Sequence, residues 1–245
     1  MSTEPSLVRR ALVTGASGGI GQAIAERLAR DGAHVVVHAN TRLEAAEAIA
    51  GRIVADGGSA EAIAFDVTDR AAAQAACERL LAAGAIQIVV NNAGVHDDAA
   101  FPALRETQWQ RVIDVSLNGF FNVTQPLVMP MIRTRWGRIV NLSSVAAIAG
   151  NRGQVNYAAA KGALNSATKA LALELASRGI TVNAVAPGLI AAGMAAQIDP
   201  ALVEKLVPMK RAGSAAEVAA LVAFLASDEA GYISGQVVSI NGAMI

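Results

Sequence analysis

The stretch VTGASGGIG, residues 13–21, decides the fold of this chain. It joins a short apolar segment, typical of a strand, to an Ala-rich segment with helical spacing. Glycines at such a junction let a phosphate come close to the backbone, and the positive end of the following helix attracts it. The spacing Gly15-x3-Gly19-x-Gly21 differs from the commoner G-x-G-x-x-G. Its place between a first strand and a first helix still predicts a dinucleotide-binding turn. The alternative is a plain tight turn, which explains one glycine better than four.

Strand-like and helix-like segments alternate outward from this turn to the end of the chain. The helical segments are rich in alanine, and several strand-like segments are apolar nearly throughout, as in sheets covered on both faces. The repeated βα pattern predicts a Rossmann-type, doubly wound α/β fold with a seven-stranded parallel sheet, in a single domain over 1–245. The predicted strands are 11–14, 34–39, 61–65, 86–90, 137–143, 180–186 and 237–240, and the predicted helices are 19–31, 42–56, 70–83, 106–134, 154–177 and 214–226.

Composition narrows the classes of function. Of the 245 residues 53% are apolar, enough for a large core, and 20 basic residues balance 20 acidic ones. This balance argues against a general electrostatic grip on nucleic acid or on an anionic membrane. The N-terminal residues are polar, and no apolar run approaches the ~18–20 residues that cross a bilayer. Cys77 is the only cysteine, so no disulfide can form within the chain. We expect a cytoplasmic protein that binds neither nucleic acid nor membrane.

The histidines do not predict a metal site. His34 and His38 lie four positions apart, but on a strand this spacing separates them by ~13 Å, too far to share an ion. His96 stands alone in a predicted loop. We therefore expect no metal.

The end of the second predicted strand bears on the choice of nicotinamide cofactor. NAD-specific sites often place an acidic residue there to hold the ribose 2′-hydroxyl, whereas positions 38–42 carry no carboxylate. Arg42 could pair with a 2′-phosphate, and Asn40 and Thr41 could donate hydrogen bonds to it. The pattern favours NADP(H), although Gly18 lacks the basic side chain that could help. The alternative is that Arg42 is a solvated residue in the first turn of the next helix.

Two further motifs lie where later strands end. In FDVTD, residues 65–69, Asp66 could accept a hydrogen bond from an adenine amino group. In NNAG, residues 91–94, small residues would let the backbone lie against the cofactor. The alternatives are helix capping by Asp66 and Asp69 and an ordinary turn at the second motif.

The stretch QVNYAAAKGAL, residues 154–164, pairs a phenol with an ammonium. Tyr157 and Lys161 are at i and i+4, so they lie on one face of a helix. A free phenol has a pKa of ~10, and a nearby ammonium can lower that pKa by ~1–3 units. Such a tyrosine suits proton transfer to or from an alcohol oxygen. A core tyrosine beside a surface lysine is the alternative for the isolated pattern.

Together these motifs resemble the short-chain dehydrogenase/reductase family over residues 9–245. TGASGGIG, NNAG, YAAAK and NAVAPG occur in the family's order and spacing. Within the family the chain most resembles the 3-oxoacyl-[acyl-carrier-protein] reductases, and the segments that carry this likeness are GNRGQVNYAAAKGAL (150–164), ELASRGITVNAVAPG (174–188), FLASDEAGYISGQ (224–236) and the ending INGAM.

The resemblance implies a set of site residues. It implies that Tyr157 protonates the substrate oxygen, that Ser144 hydrogen-bonds this oxygen, and that Lys161 holds the nicotinamide ribose and lowers the tyrosine pKa. It also implies a backbone contact from Ile190 to the nicotinamide. From the motifs and the resemblance together, the expected cofactor contacts are Gly15, Ser17, Gly18, Gly19, Ile20, Gly21, Asn40, Thr41, Arg42, Asp66, Val67, Asn92, Ala93, Gly94, Tyr157, Lys161, Pro187, Gly188 and Ile190.

The chain departs from the family pattern at two positions. Ser116 stands where the family has a catalytic Asn that kinks its helix and holds a proton-relaying water. Asn118 does not replace it, because two positions on a helix turn by ~200° and point it away. Ser116 is kept as a catalytic candidate that could itself hold a water. In LIAAGM, residues 189–194, Ala192 stands where related enzymes have a cofactor-binding Thr.

The sequence pattern and the resemblance also give expectations about the substrate and the oligomeric state. The segment 188–212 interrupts the alternation and is a candidate substrate lid. The resemblance implies an acyl carrier protein-bound substrate, docked by Arg135 and Arg178 near the mouth of the site, and a homotetramer. Solvated surface arginines are the alternative for that pair. The competing functions are a relative acting on another ketone or secondary alcohol and a non-catalytic dinucleotide-binding sensor.

Overall fold

The sheet is built around the first strand and the glycine turn that follows it. The computed structural model describes residues 8–192 and 199–245. Seven strands form one parallel sheet in the order β3-β2-β1-β4-β5-β6-β9, and β7 pairs with β8 apart from it. The prediction of a doubly wound, seven-stranded parallel sheet in a single domain is confirmed. The strands are β1 Arg10–Val13, β2 His34–Ala39, β3 Ser59–Ala64, β4 Ile88–Asn91, β5 Gly137–Leu142, β6 Ile180–Pro187, β7 Ile190–Ala191, β8 Gly213–Ser214 and β9 Val237–Ile240.

Helices cover both faces of this sheet. They are α1 Gly19–Arg30, α2 Leu43–Ala55, α3 Arg70–Ala82, α4 Glu106–Ile113, α5 Gly119–Thr134, α6 Ala146–Ala149, α7 Val155–Leu175, α8 Pro200–Leu206 and α9 Ala215–Ala226. Short 3-10 turns occupy Phe101–Ala103 and Ala176–Arg178.

The core lies in two layers, one on each face of the sheet. One layer packs Ile24 of α1 and Val222 of α9 against the strands, and the other packs Leu80 of α3 and Leu127 of α5. All residues of β4, β5 and β6 are buried, because helices cover both of their faces. Cys77 belongs to the second layer, as expected of a small core residue, and burial raises the pKa of its thiol to about 12.

The strand order places the functional motifs at one edge. The chain leaves β1 toward β2 on one side, and β4 pairs with β1 on the other. A crevice forms beyond the carboxyl ends of the strands where the order reverses in this way. The glycine turn follows β1 and NNAG overlaps the end of β4, so both lie at this crevice.

Two regions differ from the prediction. The predicted helix 106–134 is divided into α4 and α5 by a π-helical turn at Asp114–Asn118. The spacing of apolar residues along the sequence does not reveal such a turn. The predicted lid at 188–212 contains β7, then α8, and then the loop that leads to β8. Its residues 193–198, including Gly193 and Met194, lie outside the described residues. Within the described ranges no helix is long and apolar enough to cross a membrane.

Candidate active site

The glycine turn presents free helix amides to the crevice. Gly15 has φ +62° and Gly19 has φ +57°, a backbone region that side chains disfavour. A Cβ on Gly21 would lie 2.5 Å from the Gly15 carbonyl oxygen, so this glycine is needed for packing. A Cβ on Gly18 would meet nothing within 4 Å, so the open space beside it suits a ligand. Gly18 is also the N-cap of α1 without a side-chain cap, which leaves the first amides available to a phosphate.

Hydrogen bonds of Thr14 and Asn92 join the NNAG segment to the glycine turn. The Thr14 hydroxyl accepts hydrogen bonds from the backbone N–H groups of Asn92 and Ala93, both at 3.0 Å. The Asn92 amide donates to the carbonyls of Thr14 at 2.9 Å and Gly15 at 3.0 Å. The ends of β1 and β4 therefore form one rigid floor under the crevice.

His38 supports the same turn from below, a contact that sequence reasoning missed. Its side chain is 1% exposed, its Nδ1 accepts a hydrogen bond from Gly15 N–H at 3.0 Å, and its Nε2 bonds the Phe65 carbonyl at 2.9 Å. Burial lowers the pKa of His38 to about 4. The imidazole is therefore neutral at physiological pH. The only sequence signal for this contact is the position of a polar His38 within the largely apolar strand β2.

The expected 2′-phosphate and adenine contacts lie around the ends of β2 and β3. Asn40, Thr41 and Arg42 are exposed and follow β2. Arg42 is the N-cap residue of α2, and its side chain makes no hydrogen bond or ion pair with another described residue. Asp66 is exposed and accepts hydrogen bonds from the Thr68 backbone and hydroxyl, both at 2.8 Å. Asp69, not Asp66, caps α3.

Ser144, Tyr157 and Lys161 share one cavity. It has a volume of about 520 Å³ and is also lined by Asn92 and Ile190. Ser144 follows β5, whereas Tyr157 and Lys161 stand one turn apart on α7. Residues from β5, β6 and α7 and from the turn after β4 thus meet where the crevice adjoins the glycine turn.

Lys161 is buried at 3% exposure and its Nζ donates to the Leu142 carbonyl at 2.7 Å. Gly94 makes this placement possible, because a Cβ there would lie 3.2 Å from the Nζ atom. Burial lowers the pKa of the Lys161 ammonium to about 8. An ammonium has three donors, so two remain for a ligand in the cavity.

The pKa of Tyr157 is raised, which is opposite to the direction expected from the sequence. Burial raises the pKa of the phenol above its ordinary value, a hydrogen bond with Ser144 lowers it, and the Asp98 carboxylate raises it. The Lys161 Nζ lies 5.8 Å from the centre of the tyrosine ring and is directed to Leu142. Desolvation is the largest cause of this shift, and Tyr157 carries its proton at neutral pH.

Ser116 lies inside the π-helical turn, which packs against α7. Its side chain is buried, and its hydroxyl has no hydrogen-bond partner among the described residues. Asn118 is exposed and donates to Asp114 at 2.7 Å, so the expectation that it points away from Ser116 is confirmed. An unpaired buried hydroxyl is costly unless a water or ligand satisfies it.

A buried polar network behind the cavity was also missed. Asn91 donates to Thr124 and to Asn141, both at 2.9 Å, and Asn141 donates to Thr168 at 2.8 Å. These bonds join β4, α5, β5 and α7. Because every link is satisfied, the network fixes the helix that carries Tyr157 relative to the sheet.

The segment after β6 closes one side of the cavity. Gly188 N–H donates to the Ile240 carbonyl at 2.9 Å, and a Cβ on Gly188 would lie 2.7 Å from that of Asn241. Pro187 ends β6, Ile190 is buried in β7, and both line the cavity with Ala192. Val67 is buried too, and its carbonyl accepts a hydrogen bond from Asn122 at 2.9 Å.

The expectation that Arg135 and Arg178 lie near the mouth of this cavity is wrong for a single chain. Arg135 ends α5 just before β5, and Arg178 ends the 3-10 turn just before β6. Both are therefore at the amino ends of strands, ~20 Å of strand away from Ser144. Each follows a helix and precedes a strand, and such loops lie at the edge opposite the crevice.

Comparisons with known proteins agree with this geometry. The family model of the short chain dehydrogenases matches residues 9–202. The chain belongs to the short-chain dehydrogenase family. Among curated relatives, this short-chain dehydrogenase is 48% identical over 238 residues to the 3-oxoacyl-[acyl-carrier-protein] reductase FabG of Aggregatibacter actinomycetemcomitans, covering 95% of this chain and 98% of the relative. It is 44% identical over 238 residues to FabG of Pseudomonas aeruginosa (96% of each chain) and 43% identical over 242 residues to FabG of Staphylococcus aureus (97% and 98%).

As a short-chain dehydrogenase the protein is an oxidoreductase that acts on CH–OH groups and uses a nicotinamide dinucleotide cofactor. The residues fit that cofactor. The start of α1 offers uncapped amides and the open space beside Gly18, which suit a phosphate, and Lys161 offers two remaining donors, which suit a ribose.

Proposed function

We propose that this short-chain dehydrogenase reduces a 3-oxoacyl-[acyl-carrier-protein] to the 3-hydroxyacyl thioester with NADPH, with Tyr157 as proton donor. The observation that carries the proposal is the meeting of Ser144, Tyr157 and Lys161 in one cavity next to the glycine turn. The names of the relatives supply the substrate class, because three FabG reductases cover nearly the whole chain.

Tyr157 can act as the proton donor because its phenol is protonated. When bound, the cofactor would supply a hydride to the ketone carbon, and the carbonyl oxygen would gain negative charge as the new C–H bond forms. The phenol carries a proton at neutral pH, because burial raises its pKa. Tyr157 therefore donates this proton to the oxygen, and the product is an alcohol. The Ser144 hydroxyl donates a hydrogen bond to the same oxygen, which stabilises the developing charge.

Lys161 has two tasks in this proposal. Its free donors bind the ribose next to the nicotinamide, and its positive charge stabilises the phenolate that remains after proton transfer. The Ser116 hydroxyl has no hydrogen-bond partner among the described residues, and a water held there would relay a proton to Lys161.

The NADP(H) preference rests on Arg42 with Asn40 and Thr41, since all three are exposed after β2. We assign the cofactor contacts to the glycine turn, the Asp66 and NNAG regions and the segment after β6, that is, to Gly15, Ser17, Gly18, Gly19, Ile20, Gly21, Asp66, Val67, Asn92, Ala93, Gly94, Pro187, Gly188 and Ile190. Arg42→Ala should raise the NADPH KM by about tenfold and leave the NADH KM nearly unchanged, because a charge-assisted pair to the phosphate is lost.

Assembly completes the proposal. Phe121 and Met129 on α5 and Leu173 on α7 are exposed apolar side chains, which supports burial of these helices in a homotetramer. A carrier docked on Arg135 and Arg178 would then serve the cleft of a neighbouring subunit, because the cleft of the same chain lies at the other edge. The segment 188–212 would act as the lid over the substrate, in a cytoplasmic enzyme.

The test is NADPH oxidation with three substrates. We expect the highest kcat/KM with acetoacetyl-acyl carrier protein, a lower value with a carrier-free acetoacetyl thioester, and the lowest with a simple monoketone. Arg135→Glu with Arg178→Glu should raise KM for the carrier substrate alone. Faster reduction of the monoketone would instead favour a dehydrogenase of other ketones, and no NADPH oxidation with any substrate would contradict the proposal.

A further inference from the structure

His38 meets the cofactor turn with both its backbone and its side chain. Its carbonyl accepts a hydrogen bond from Ala16 N–H at 2.8 Å, and its Nδ1 accepts one from Gly15 N–H at 3.0 Å. Consecutive amides at the start of the glycine turn are thus bonded to one residue of β2. Gly15 has φ +62°, one of several conformations open to a glycine, so these two hydrogen bonds select the conformation of the turn.

The partners of the ring set its tautomer. A carbonyl only accepts, so the Nε2 that lies 2.9 Å from the Phe65 carbonyl carries the proton. Nδ1 is then free to accept from Gly15. The centre of the Phe65 ring lies 4.2 Å from the centre of the imidazole, so the two rings pack against each other. Asp66 is the charged group whose field reaches the ring, and it does not overcome the burial that keeps the ring neutral.

We infer that His38 is a positioning residue for the dinucleotide, which acts by holding Gly15 and the turn after it in the conformation that accepts the cofactor. The ring is buried and does not line the cavity of Ser144, Tyr157 and Lys161, so it acts through the turn. The ring accepts the hydrogen bond of the Gly15 N–H, so this amide is not available to a phosphate. The later amides at the start of α1 are available, because no side chain caps the helix there. The turn is therefore shaped before the cofactor arrives, which lowers the ordering cost of binding.

Two substitutions separate this role from a merely structural one. The Asn side chain places an acceptor near the position of Nδ1, so His38→Asn keeps the Gly15 bond and loses the Phe65 bond. The Gln side chain reaches the position of Nε2, so His38→Gln keeps a donor for Phe65 and loses the Gly15 bond. Each variant loses one buried hydrogen bond, so their thermal midpoints should fall alike.

The measurement is NADPH binding to each full-length variant by nucleotide fluorescence, with kcat determined at saturating cofactor. His38→Gln should raise the NADPH Kd by roughly tenfold, as expected for one lost hydrogen bond, whereas His38→Asn should stay within about threefold of wild type. The kcat of both should stay within about twofold. His34→Gln is the matched control, because His34 is on the same strand and, within the described part of the chain, its ring bonds only Ser59 and Glu61 at the sheet edge.

Equal Kd values for the two His38 variants would overturn the inference, as would weaker binding by the Asn variant. If neither variant folds, the ring nitrogens of the ¹⁵N-labelled wild type provide the test. An Nε2–H tautomer at pH 7 supports the inference, and an Nδ1–H tautomer overturns it. The Kd and tautomer readouts use no acyl substrate, so they are independent of whether the proposed substrate is correct.

Discussion

The two edges of the sheet each hold a cavity, and the larger one is not the candidate active site. At the amino edge a cavity of about 730 Å³ is lined by Arg9, Trp136 and Asp228. At the carboxyl edge the cavity that holds Tyr157 and Lys161 measures about 520 Å³. Volume alone would have selected the wrong edge.

At the amino edge the polar groups satisfy one another. Arg9 donates twice to Asp228, at 2.9 and 2.7 Å, and Trp136 Nε1 donates to the same carboxylate at 3.0 Å. The guanidinium groups of Arg9 and Arg138 lie 3.8 and 4.2 Å from the centre of the Trp136 ring. The Arg9 hydrogen bond is the main reason that the pKa of Asp228 lies below its ordinary value.

At the carboxyl edge, hydrogen-bonding capacity is left over. The first amides of α1 have no cap, the Ser116 hydroxyl has no described partner, and Lys161 uses one donor. This difference shows that a binding site is marked by unused donors placed on rigid supports, and a structural cluster by donors and acceptors that are already paired.

The strongest test of this contrast is removal of the Tyr157 hydroxyl. Tyr157→Phe should lower kcat by about 10³-fold, because the proton donor is lost, with little change in thermal midpoint or NADPH Kd. Steady-state kinetics and a thermal melt measure both quantities. Tyr232→Phe is the control, since that side chain is fully exposed and should leave kcat unchanged. A similar loss in both variants would contradict the assignment.

The burial of Lys161 at the carboxyl edge should make the free energy of unfolding depend on pH. Its pKa is about 8 when folded and 10.5 ordinarily, so between these values the unfolded chain binds more protons. The free energy of unfolding of wild type should therefore rise from pH 8 to pH 10.5 relative to Lys161→Met, by roughly 2–3 kcal/mol. Denaturant titrations across this range measure the difference. A flat or falling difference would mean that the ammonium is not desolvated.

At the amino edge we expect a change in stability without a change in catalysis. Asp228→Asn removes the charge that joins Arg9, Trp136 and Arg138, and should cost about 1 kcal/mol of unfolding free energy, because the carboxylate is largely exposed. The values of kcat and KM should not move. A marked rise in KM would show that this edge takes part in binding.

The smallest effect is expected at Ser116. Ser116→Asn should leave kcat equal or slightly higher, because an amide can take over the water that a lone hydroxyl would hold. Ser116→Ala should change kcat by less than tenfold and is the matched comparison for the loss of the polar group. A collapse of kcat in the Asn variant would show that the π-helical turn is fitted to the serine.

Several features of the site could be predicted because the signals are local. The glycine turn, NNAG and the Tyr157–Lys161 spacing each occupy a few consecutive residues, and alternating periodicity places them at the ends of strands. His38 could not be found in this way, since its partners Gly15 and Phe65 lie 23 and 27 positions away along the chain. The positions of Arg135 and Arg178 depend equally on the direction in which each strand runs.

The sequence by itself determined the order of strands and helices, the class of fold and the family, because periodicity and turn chemistry depend on near neighbours. Only the tertiary structure decided that the Tyr157 pKa rises, that the Lys161 pKa falls, and that a neutral imidazole supports the cofactor turn. Those outcomes depend on desolvation and on contacts between distant segments, and both exist only once the sheet has been assembled and covered.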